Sequence, residues 1–251
     1  MKFAIIAAGE GSRLAAEGVT LPKPLVEIGG EAMIDRLIRI FMQNDADEIV
    51  VICNDATAQV SQHLLQLQRD GLQGRPVPLR FVVKSTPSSM HSFYEISKYL
   101  NDGRFVLTTV DTIFREQEFA DYVQHFRSCT ADGLMGVTSF VDDEKPLWVG
   151  VTSQGEGAPM EITGFYDTDS PSTLHSPPST LYVSAGIYGL GENAIFALHN
   201  CIARSEHRMR NFQRGMLRDG LRLQAFPFTK VFDIDHASDI SKAETFLQHE
   251  Q

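Results

Sequence analysis

Cysteine is scarce in this chain, and its three copies stand where they cannot act together. Cys53, Cys129 and Cys201 are far apart among the 251 residues, and no CxxC spacing occurs. An odd number of distant cysteines argues against a disulfide framework and against a cysteine-ligated zinc site. We therefore expect a protein of a reducing compartment, with a cytoplasmic location.

Long apolar runs and excess positive charge are also missing. No run approaches the ~20 apolar residues of a transmembrane helix, and the formal net charge is −10 at pH 7. Nucleic acids and anionic membranes attract a basic face. We therefore predict neither a nucleic-acid nor a membrane partner. A small phosphorylated ligand remains compatible with this charge, because a few basic side chains and a metal ion can hold one.

The hydrophobic residues, 43% of the chain, follow two patterns. In the first half, apolar segments of strand length, such as Lys2–Ala8 and Glu48–Cys53, alternate with segments of helical spacing such as Ala32–Met42. This alternation is typical of buried parallel strands that are covered by helices. Short strand candidates dominate the second half. The sequence predicts one α/β domain over residues 1–251, with a mixed, mostly parallel central sheet and helices on both faces.

A glycine-rich segment after the first apolar run carries the strongest chemical signal. The sequence AAGEGSRL at residues 7–14 is followed by LPKPL at 21–25. Glycines in such a turn let backbone N–H groups approach phosphate oxygens, and Arg13 and Lys23 can add charge-assisted hydrogen bonds. A P-loop lysine is absent, and Leu14 stands where a dinucleotide fingerprint needs its third glycine. No helical pattern opens directly after the turn.

These two segments together resemble the signature of the sugar-phosphate nucleotidyltransferases, a family with a Rossmann-like fold of the glycosyltransferase-A type. The resemblance implies a nucleotide-binding half at 1–130 and an acceptor-binding half at 131–251. It also implies that Arg13 and Lys23 are catalytic, because the matching residues of the family stabilise the triphosphate during attack. The residues that it assigns to binding the phosphates of an NTP are Ala8, Gly9, Gly11 and Ser12.

Two aspartate segments of the chain point to a magnesium site. Asp111 follows the buried run FVLTTV, and a carboxylate just past such a strand can hold Mg²⁺ against phosphate oxygens. Many family members end this strand in Gly-Asp, where this chain has Val110. The later segment VFDIDHASD resembles the one that supplies the family's second metal carboxylate. Asp235 is the first choice for that ligand and Asp233 the second.

The remaining site residues depart further from the family. The segment KSTPSSMHS at 84–92 matches the loop that contacts the nucleobase, yet Lys84 replaces the usual glutamine. Ser88 and Ser89 would bind the nucleotide there, or would cap the next helix. Gly186 matches an acceptor-side glycine, but the usual lysine for the acceptor phosphate is missing. Lys230 is the substitute we favour, with Arg210 as an alternative.

The resemblance implies transfer of an NMP group from an NTP, with CTP or UTP favoured, to a small phosphorylated acceptor such as a sugar 1-phosphate. Pyrophosphate would leave, Mg²⁺ would be the cofactor, and the protein could form an oligomer. A non-catalytic nucleotide-binding regulatory protein of the same fold is the alternative. A glycosyltransferase would more typically show a DxD motif, and Asp111-Thr112-Ile113 is not one. A nicotinamide oxidoreductase lacks its glycine fingerprint.

Overall fold

The computed structural model describes residues 1–142, 145–153, 155, 158–167 and 180–248. Within these ranges the chain forms thirteen strands and eight α-helices. The strands are β1 (Lys2–Ala7), β2 (Glu27–Ile28), β3 (Glu31–Ala32), β4 (Glu48–Cys53), β5 (Leu79–Val83), β6 (Phe105–Thr109), β7 (Thr112–Ile113), β8 (Gly133–Thr138), β9 (Trp148–Thr152), β10 (Met160–Tyr166), β11 (Thr180–Leu190), β12 (Leu223–Phe228) and β13 (Phe232–Asp233). The helices are α1 (Ser12–Ala16), α2 (Met33–Gln43), α3 (Ala58–Asp70), α4 (Ser89–Ser97), α5 (Glu116–Ser128), α6 (Glu192–Ala203), α7 (Met209–Arg218) and α8 (Ala237–Gln248).

Nine of the described strands form one mixed sheet, in the order β5-β4-β1-β6-β11-β8-β12-β10-β9. The pairs β5–β4, β4–β1, β1–β6 and β8–β12 are parallel. The other five pairings are antiparallel, including β11 with β9, which closes β8 to β12 into a five-stranded ring. The predicted mixed sheet is therefore found, but the expectation that it is mostly parallel is wrong. In the second half the pairing is mainly antiparallel, and β8 with β12 is the exception.

Helices cover both faces of the sheet, because its central strands are apolar on both sides. Successive side chains of a strand point to opposite faces. In β1, accordingly, Phe3, Ile5 and Ala7 pack with α2, α3 and α5, whereas Ala4 and Ile6 pack on the side of α4, α6 and α7. A third, smaller apolar cluster joins α1, β7, β13 and α8 at one end of the molecule. No helix in the described ranges is long and apolar enough to cross a membrane.

Several short elements are missing from the sequence prediction, among them β12 and α1. Strand β12 lies inside the sheet between β8 and β10, although it contains Pro227. Proline has no N–H group to donate to a neighbouring strand, so it normally argues against an inner strand. For this reason the segment does not look like a strand in the sequence. Helix α1 opens directly after the glycine-rich turn and has only five residues, of which Leu14 alone is buried. A helix this short leaves no periodic apolar signal to detect.

An ion pair between α2 and α3 leads to a prediction about pH. The Nε2 atom of His63 lies 2.6 Å from Oδ1 of Asp35, and this hydrogen bond raises the pKa of His63 despite its partial burial. The pair stabilises the fold fully below the pKa of about 6.5 of an unfolded histidine, and this contribution disappears as pH rises through the folded-state value. We expect His63→Gln to cost roughly 0.5–1 kcal/mol at pH 6 and less at pH 9, measured by urea unfolding.

The matched control is His125→Gln, because the ring of His125 lies beside Phe226 rather than a carboxylate. This variant removes an imidazole ring without removing an ion pair, and it is unfolded by urea at the same two pH values. An equal loss at both pH values in His63→Gln would contradict the assignment of this stability to the ion pair.

Candidate active site

The main pocket, of about 580 Å³, opens at the carboxyl ends of β1 and β6. Ligands of parallel sheets bind beyond this edge of the strands. Segments that are distant in sequence meet here: the glycine-rich turn, the start of α4, the end of β6 and the segment before α8. The lining includes the predicted residues Ala8, Gly9, Gly11, Ser12, Arg13, Lys23, Ser88, Ser89, Asp111 and Asp235.

The glycine-rich turn leaves room for an anion. A Cβ atom built on Gly9 would meet no other atom within 4 Å, so the backbone there borders open space. The N–H groups of Gly9, Glu10 and Gly11 donate to no backbone carbonyl in the described part of the chain. Unpaired N–H groups along such a turn attract phosphate oxygens. The turn is held from behind by Asn54, whose side-chain N–H donates to the carbonyl of Gly9 at 3.0 Å.

Gly11 is required by both its conformation and its neighbour. Its φ of +63° lies in the left-handed region, and an added Cβ would lie 3.0 Å from Cβ of Lys23. We expect Gly11→Ala to lose about 1 kcal/mol of stability through its backbone and to weaken NTP binding about tenfold, because Lys23 must move. Gly18 also has a positive φ but open space around its added Cβ. Urea unfolding and calorimetric titration of NTP compare the two variants.

Gly18→Ala should lose a similar amount of stability and keep its NTP affinity. The role of Gly11 in placing Lys23 is refuted by an unchanged NTP affinity in Gly11→Ala, or by an equal loss of affinity in Gly18→Ala.

Four charged side chains meet at one side of the pocket. The Nζ atom of Lys23 lies 2.5 Å from Oδ2 of Asp111 and 2.8 Å from Oδ1 of Asp235. An Nη atom of Arg13 lies 2.8 Å from the other oxygen of Asp235. Burial by itself lowers the pKa of Lys23, but the two carboxylates outweigh it and hold that pKa above its ordinary value. Lys23 is therefore a fixed positive charge at neutral pH.

Backbone pairing brings the two aspartates together across 124 positions of sequence. Asp111 lies in the turn between β6 and β7, and the short strand β13 pairs antiparallel with β7. Next to this pairing, the N–H of Ile234 donates to the carbonyl of Asp111 at 3.2 Å. Phe232 and Ile234 are buried in the cluster beneath α8, which anchors the segment. Asp235, the next residue, therefore reaches the same pocket as Asp111.

The donor set fits a hard divalent cation that is shared with a substrate. Asp111 and Asp235 direct one oxygen each at a single cationic group, the ammonium of Lys23. No group of three or more His, Cys, Asp or Glu residues within the described ranges could hold a metal ion by itself. Mg²⁺ commonly takes one or two carboxylates and completes its shell with waters and substrate phosphates. Asp111 and Asp235 are therefore the residues that would hold it.

The start of α4 borders the main pocket. The hydroxyl of Ser88 accepts from the N–H of His91, so Ser88 is the N-cap of this helix as well as a lining residue. Ser89 is the first helical residue and also lines the pocket. Lys84, in contrast, pairs with Glu95 at 2.7 Å and does not line the pocket. The departure at Lys84 therefore lies outside the main pocket.

A second pocket, of about 190 Å³, adjoins the first and shares Arg13 and Asp235 with it. Its lining includes Asp233, Ser184 and Lys242. Asp233 and Asp235 thus both face this space, as residues two apart in an extended segment do.

Three residues that the sequence suggested for binding the acceptor lie outside the lining of both pockets. Gly186 lines neither pocket; its φ is +71°, and an added Cβ would lie 3.1 Å from Oγ1 of Thr112. Lys230 lines neither pocket, and its ammonium lies 4.0 Å from the ring centre of Phe140. Arg210 pairs with Asp167 at 2.8 Å and also lines neither pocket.

Sequence reasoning missed residues that support the site from behind. Asn54 follows β4 directly, and position after a buried strand is the signal that could have found it. Glu17 at the end of α1 contacts the segment that carries Asp235: its Oε1 lies 2.6 Å from Nδ1 of His236. This bond lowers the pKa of Glu17 and raises the pKa of His236. No sequence pattern indicates a pair separated by 219 positions.

Comparison with known proteins identifies relatives of the whole chain and of its parts. The UTP–glucose-1-phosphate uridylyltransferase AglF of Haloferax volcanii is 23% identical over 254 residues, covering 100% of this chain and 98% of that protein. The bifunctional IPC transferase and DIPP synthase of Thermococcus kodakarensis is 25% identical over 158 residues, which are 63% of this chain but 31% of that protein. The glucose-1-phosphate cytidylyltransferase of Salmonella typhimurium is 34% identical over 53 residues, 21% of each chain. The matches to these last two proteins span less than a third of their length.

Solved structures share the fold at low sequence identity. The inositol-1-phosphate CTP transferase of T. maritima matches with a TM-score of 0.72 at 15% identity, over 97% of this chain and 96% of that one. The UTP-bound UGPase of Acinetobacter baumannii matches with a TM-score of 0.78 at 18% identity, over 100% and 94%. The model of the family described as nucleotidyl transferase matches residues 2–250. Because this match extends over nearly the whole chain, the protein belongs to the nucleotidyl transferase family.

Proposed function

We propose that this protein transfers an NMP group from an NTP to a small phosphorylated acceptor, of the sugar 1-phosphate class, and releases pyrophosphate. The observation that carries the proposal is the cluster of Arg13, Lys23, Asp111 and Asp235 beside a glycine-rich turn. Such a cluster can hold a triphosphate and orient it. The relatives whose names include UTP–glucose-1-phosphate uridylyltransferase and glucose-1-phosphate cytidylyltransferase support this substrate class.

In the proposed reaction, an oxygen of the acceptor phosphate attacks the α-phosphorus of the NTP. A new P–O bond forms, the bond from the α-phosphorus to the bridging oxygen breaks, and pyrophosphate leaves with the electron pair. No general base is needed, because a phosphate monoester is already ionised at neutral pH. The barrier lies in bringing two anions together, so positioning and charge neutralisation are the main contributions of the protein.

Lys23 and Arg13 supply fixed positive charge at the triphosphate. Lys23 is 10% exposed, and its ammonium is already oriented by two carboxylates, so little reorganisation is needed when charge develops on the phosphates. Asp111 and Asp235 are the proposed ligands of Mg²⁺. When bound, this ion neutralises phosphate charge and orients the transferred group.

We assign the acceptor to the second pocket. The second pocket adjoins the main pocket at Arg13 and Asp235. An acceptor bound in the second pocket would therefore lie next to a triphosphate bound in the main one. Lys242 and the hydroxyls of Thr138 and Ser184 line it and can bind a phosphate or sugar hydroxyls. On this geometry Lys242 is a better candidate for the acceptor phosphate than Lys230, whose ammonium lies against aromatic rings. Gly186 does not line this pocket, but the preceding residue, Ala185, does.

The experiment that tests this function measures pyrophosphate release. CTP, UTP, GTP, ATP and dTTP are each tested with Mg²⁺ against sugar 1-phosphates, inositol 1-phosphate and phosphocholine. We expect acceptor-dependent release with one NTP, CTP or UTP first, since relatives using both are known from their names. NTP binding without release for any pair would instead support the non-catalytic regulatory protein. Absence of NTP binding would refute both functions.

A further inference from the structure

The backbone around Asp235 is held at four consecutive N–H groups. The N–H of Ile234 donates to the carbonyl of Asp111 at 3.2 Å. The N–H groups of Asp235 and His236 both donate to Oδ2 of Asp239, at 3.2 and 2.8 Å. The N–H of the next residue, Ala237, donates to Oε2 of Glu17 at 2.6 Å. The segment that presents Asp235 is thus fixed on both sides of that residue.

Helix α1 contacts this segment at two points. Arg13 and Glu17 are four residues apart, a spacing that places them on one face of a helix. Arg13 contacts the carboxylate of Asp235, and Glu17 contacts both the ring of His236 and the N–H of Ala237. Because α1 begins at Ser12, directly after the glycine-rich turn, the phosphate-binding backbone and Asp235 are joined through one short rigid element.

Asp239 completes the arrangement from the other side. The residue is only 7% exposed, and it lies in the first turn of α8. Its other oxygen accepts from Nζ of Lys242 at 3.1 Å. An acidic side chain in the first helical turn commonly bonds back to the N–H groups that precede the helix. Here those N–H groups belong to Asp235 and His236. The hydrogen bonds that cap α8 therefore also fix the backbone of Asp235.

We propose that Glu17 and Asp239 are positioning residues that hold Asp235, through its backbone, at the point where its carboxylate meets Lys23, Arg13 and a divalent cation. The proposal rests on the proposed function, because Asp235 has a chemical task only in that reaction. Glu17 touches neither pocket directly. Its contacts are with His236 and Ala237, the two residues that follow Asp235. Partners that orient a metal ligand typically change metal affinity or activity by about 10–100-fold when removed.

The test uses the full-length protein and two readouts. Mn²⁺ alone is titrated into wild type, Glu17→Ala, Glu17→Gln and Asp239→Asn, and kcat and KM are measured with the substrate pair found by pyrophosphate release. We expect Glu17→Ala to weaken Mn²⁺ binding and to lower kcat, each about tenfold, while KM for the acceptor changes little. Glu17→Gln keeps an oxygen for the N–H of Ala237 and should recover most of the loss. Asp239→Asn likewise keeps an oxygen for the N–H groups of Asp235 and His236 and should retain most of the Mn²⁺ affinity. Its comparison rests on Mn²⁺ binding alone, because Asp239 also lines the second pocket and pairs with Lys242.

The matched control is Glu244→Ala. Glu244 lies on α8, and its Oε1 accepts from the N–H of Gly29 at 3.2 Å, so it makes the same kind of contact away from both pockets. This variant should keep wild-type Mn²⁺ affinity and kcat. The proposal is overturned if Glu17→Ala behaves like Glu244→Ala in both readouts. Wild type without turnover, combined with weaker Mn²⁺ binding in Glu17→Ala, would refute the function and support the positioning.

Discussion

Lys23→Met is expected to reduce kcat/KM for NMP transfer about 1,000-fold, as the loss of a fixed group that stabilises transition-state charge does in other enzymes. Methionine keeps the length and the apolar stem of the lysine but removes its charge. Asp111 and Asp235, both within 3 Å of Nζ, then face each other without their shared cation. Steady-state pyrophosphate release measures the loss of activity, and urea unfolding measures the accompanying loss of stability.

The comparison for Lys23→Met is Lys84→Met. Lys84 also pairs with a carboxylate, that of Glu95 at 2.7 Å, but its side chain is 52% exposed and outside the pocket. Its substitution should leave kcat/KM within a factor of about two, since exposed pairs contribute little. If Lys23→Met retained more than about a tenth of wild-type kcat/KM, Lys23 would be a structural counter-ion of the aspartates and not a residue acting on the triphosphate.

Asp111→Asn is expected to lower Mg²⁺-dependent turnover at least about 100-fold and to weaken Mn²⁺ binding, with the fold intact. The amide keeps the shape of the side chain and one oxygen, but it removes the charge that a divalent cation needs. Asp235→Asn should behave in the same way and should in addition release Arg13. Raising the Mg²⁺ concentration should partly restore turnover in both variants, and circular dichroism checks the fold.

Asp132→Asn is the control for both aspartate substitutions. Asp132 accepts from the side chain of Asn193 and from the N–H of Arg222, so it is structurally engaged but remote from the pocket. It should keep Mg²⁺-dependent turnover whatever it costs in stability. Full activity in Asp111→Asn and Asp235→Asn together would refute the metal assignment.

The first half of the fold was predictable because its elements are long and strongly patterned. Strand β4 begins and ends where the apolar run Glu48–Cys53 does. The second half of the fold was less predictable. Whether a strand runs parallel or antiparallel depends on the strands it pairs with and not on its own residues. β11 pairs antiparallel with β6, β8 and β9, and this makes the second half mainly antiparallel. No local sequence pattern indicates these pairings.

Most of the predicted site residues line the main pocket, but the contacts among them were not predictable. The position of Asp111 after a buried strand follows from pattern, and Asp235 follows from resemblance. Neither indicates that Lys23 bridges the two carboxylates, because that contact depends on β13 pairing with β7, two strands of two residues each. Lys230 illustrates the same limit. Its residue type suits a phosphate, but its surroundings are aromatic rings.

The place of β6 in the sheet has a consequence for the synthesis of the chain on the ribosome. β6 pairs with β1, made earlier, and with β11, whose last residue follows Thr109 by about 80 positions. At a translation rate of roughly 5–20 residues per second, the edge of β6 that pairs with β11 stays unpaired for about 4–16 s. Phe105, Val106 and Leu107 are fully buried in the finished protein. An open apolar edge can pair with another chain, so this edge of the first half is exposed to such pairing until β11 arrives.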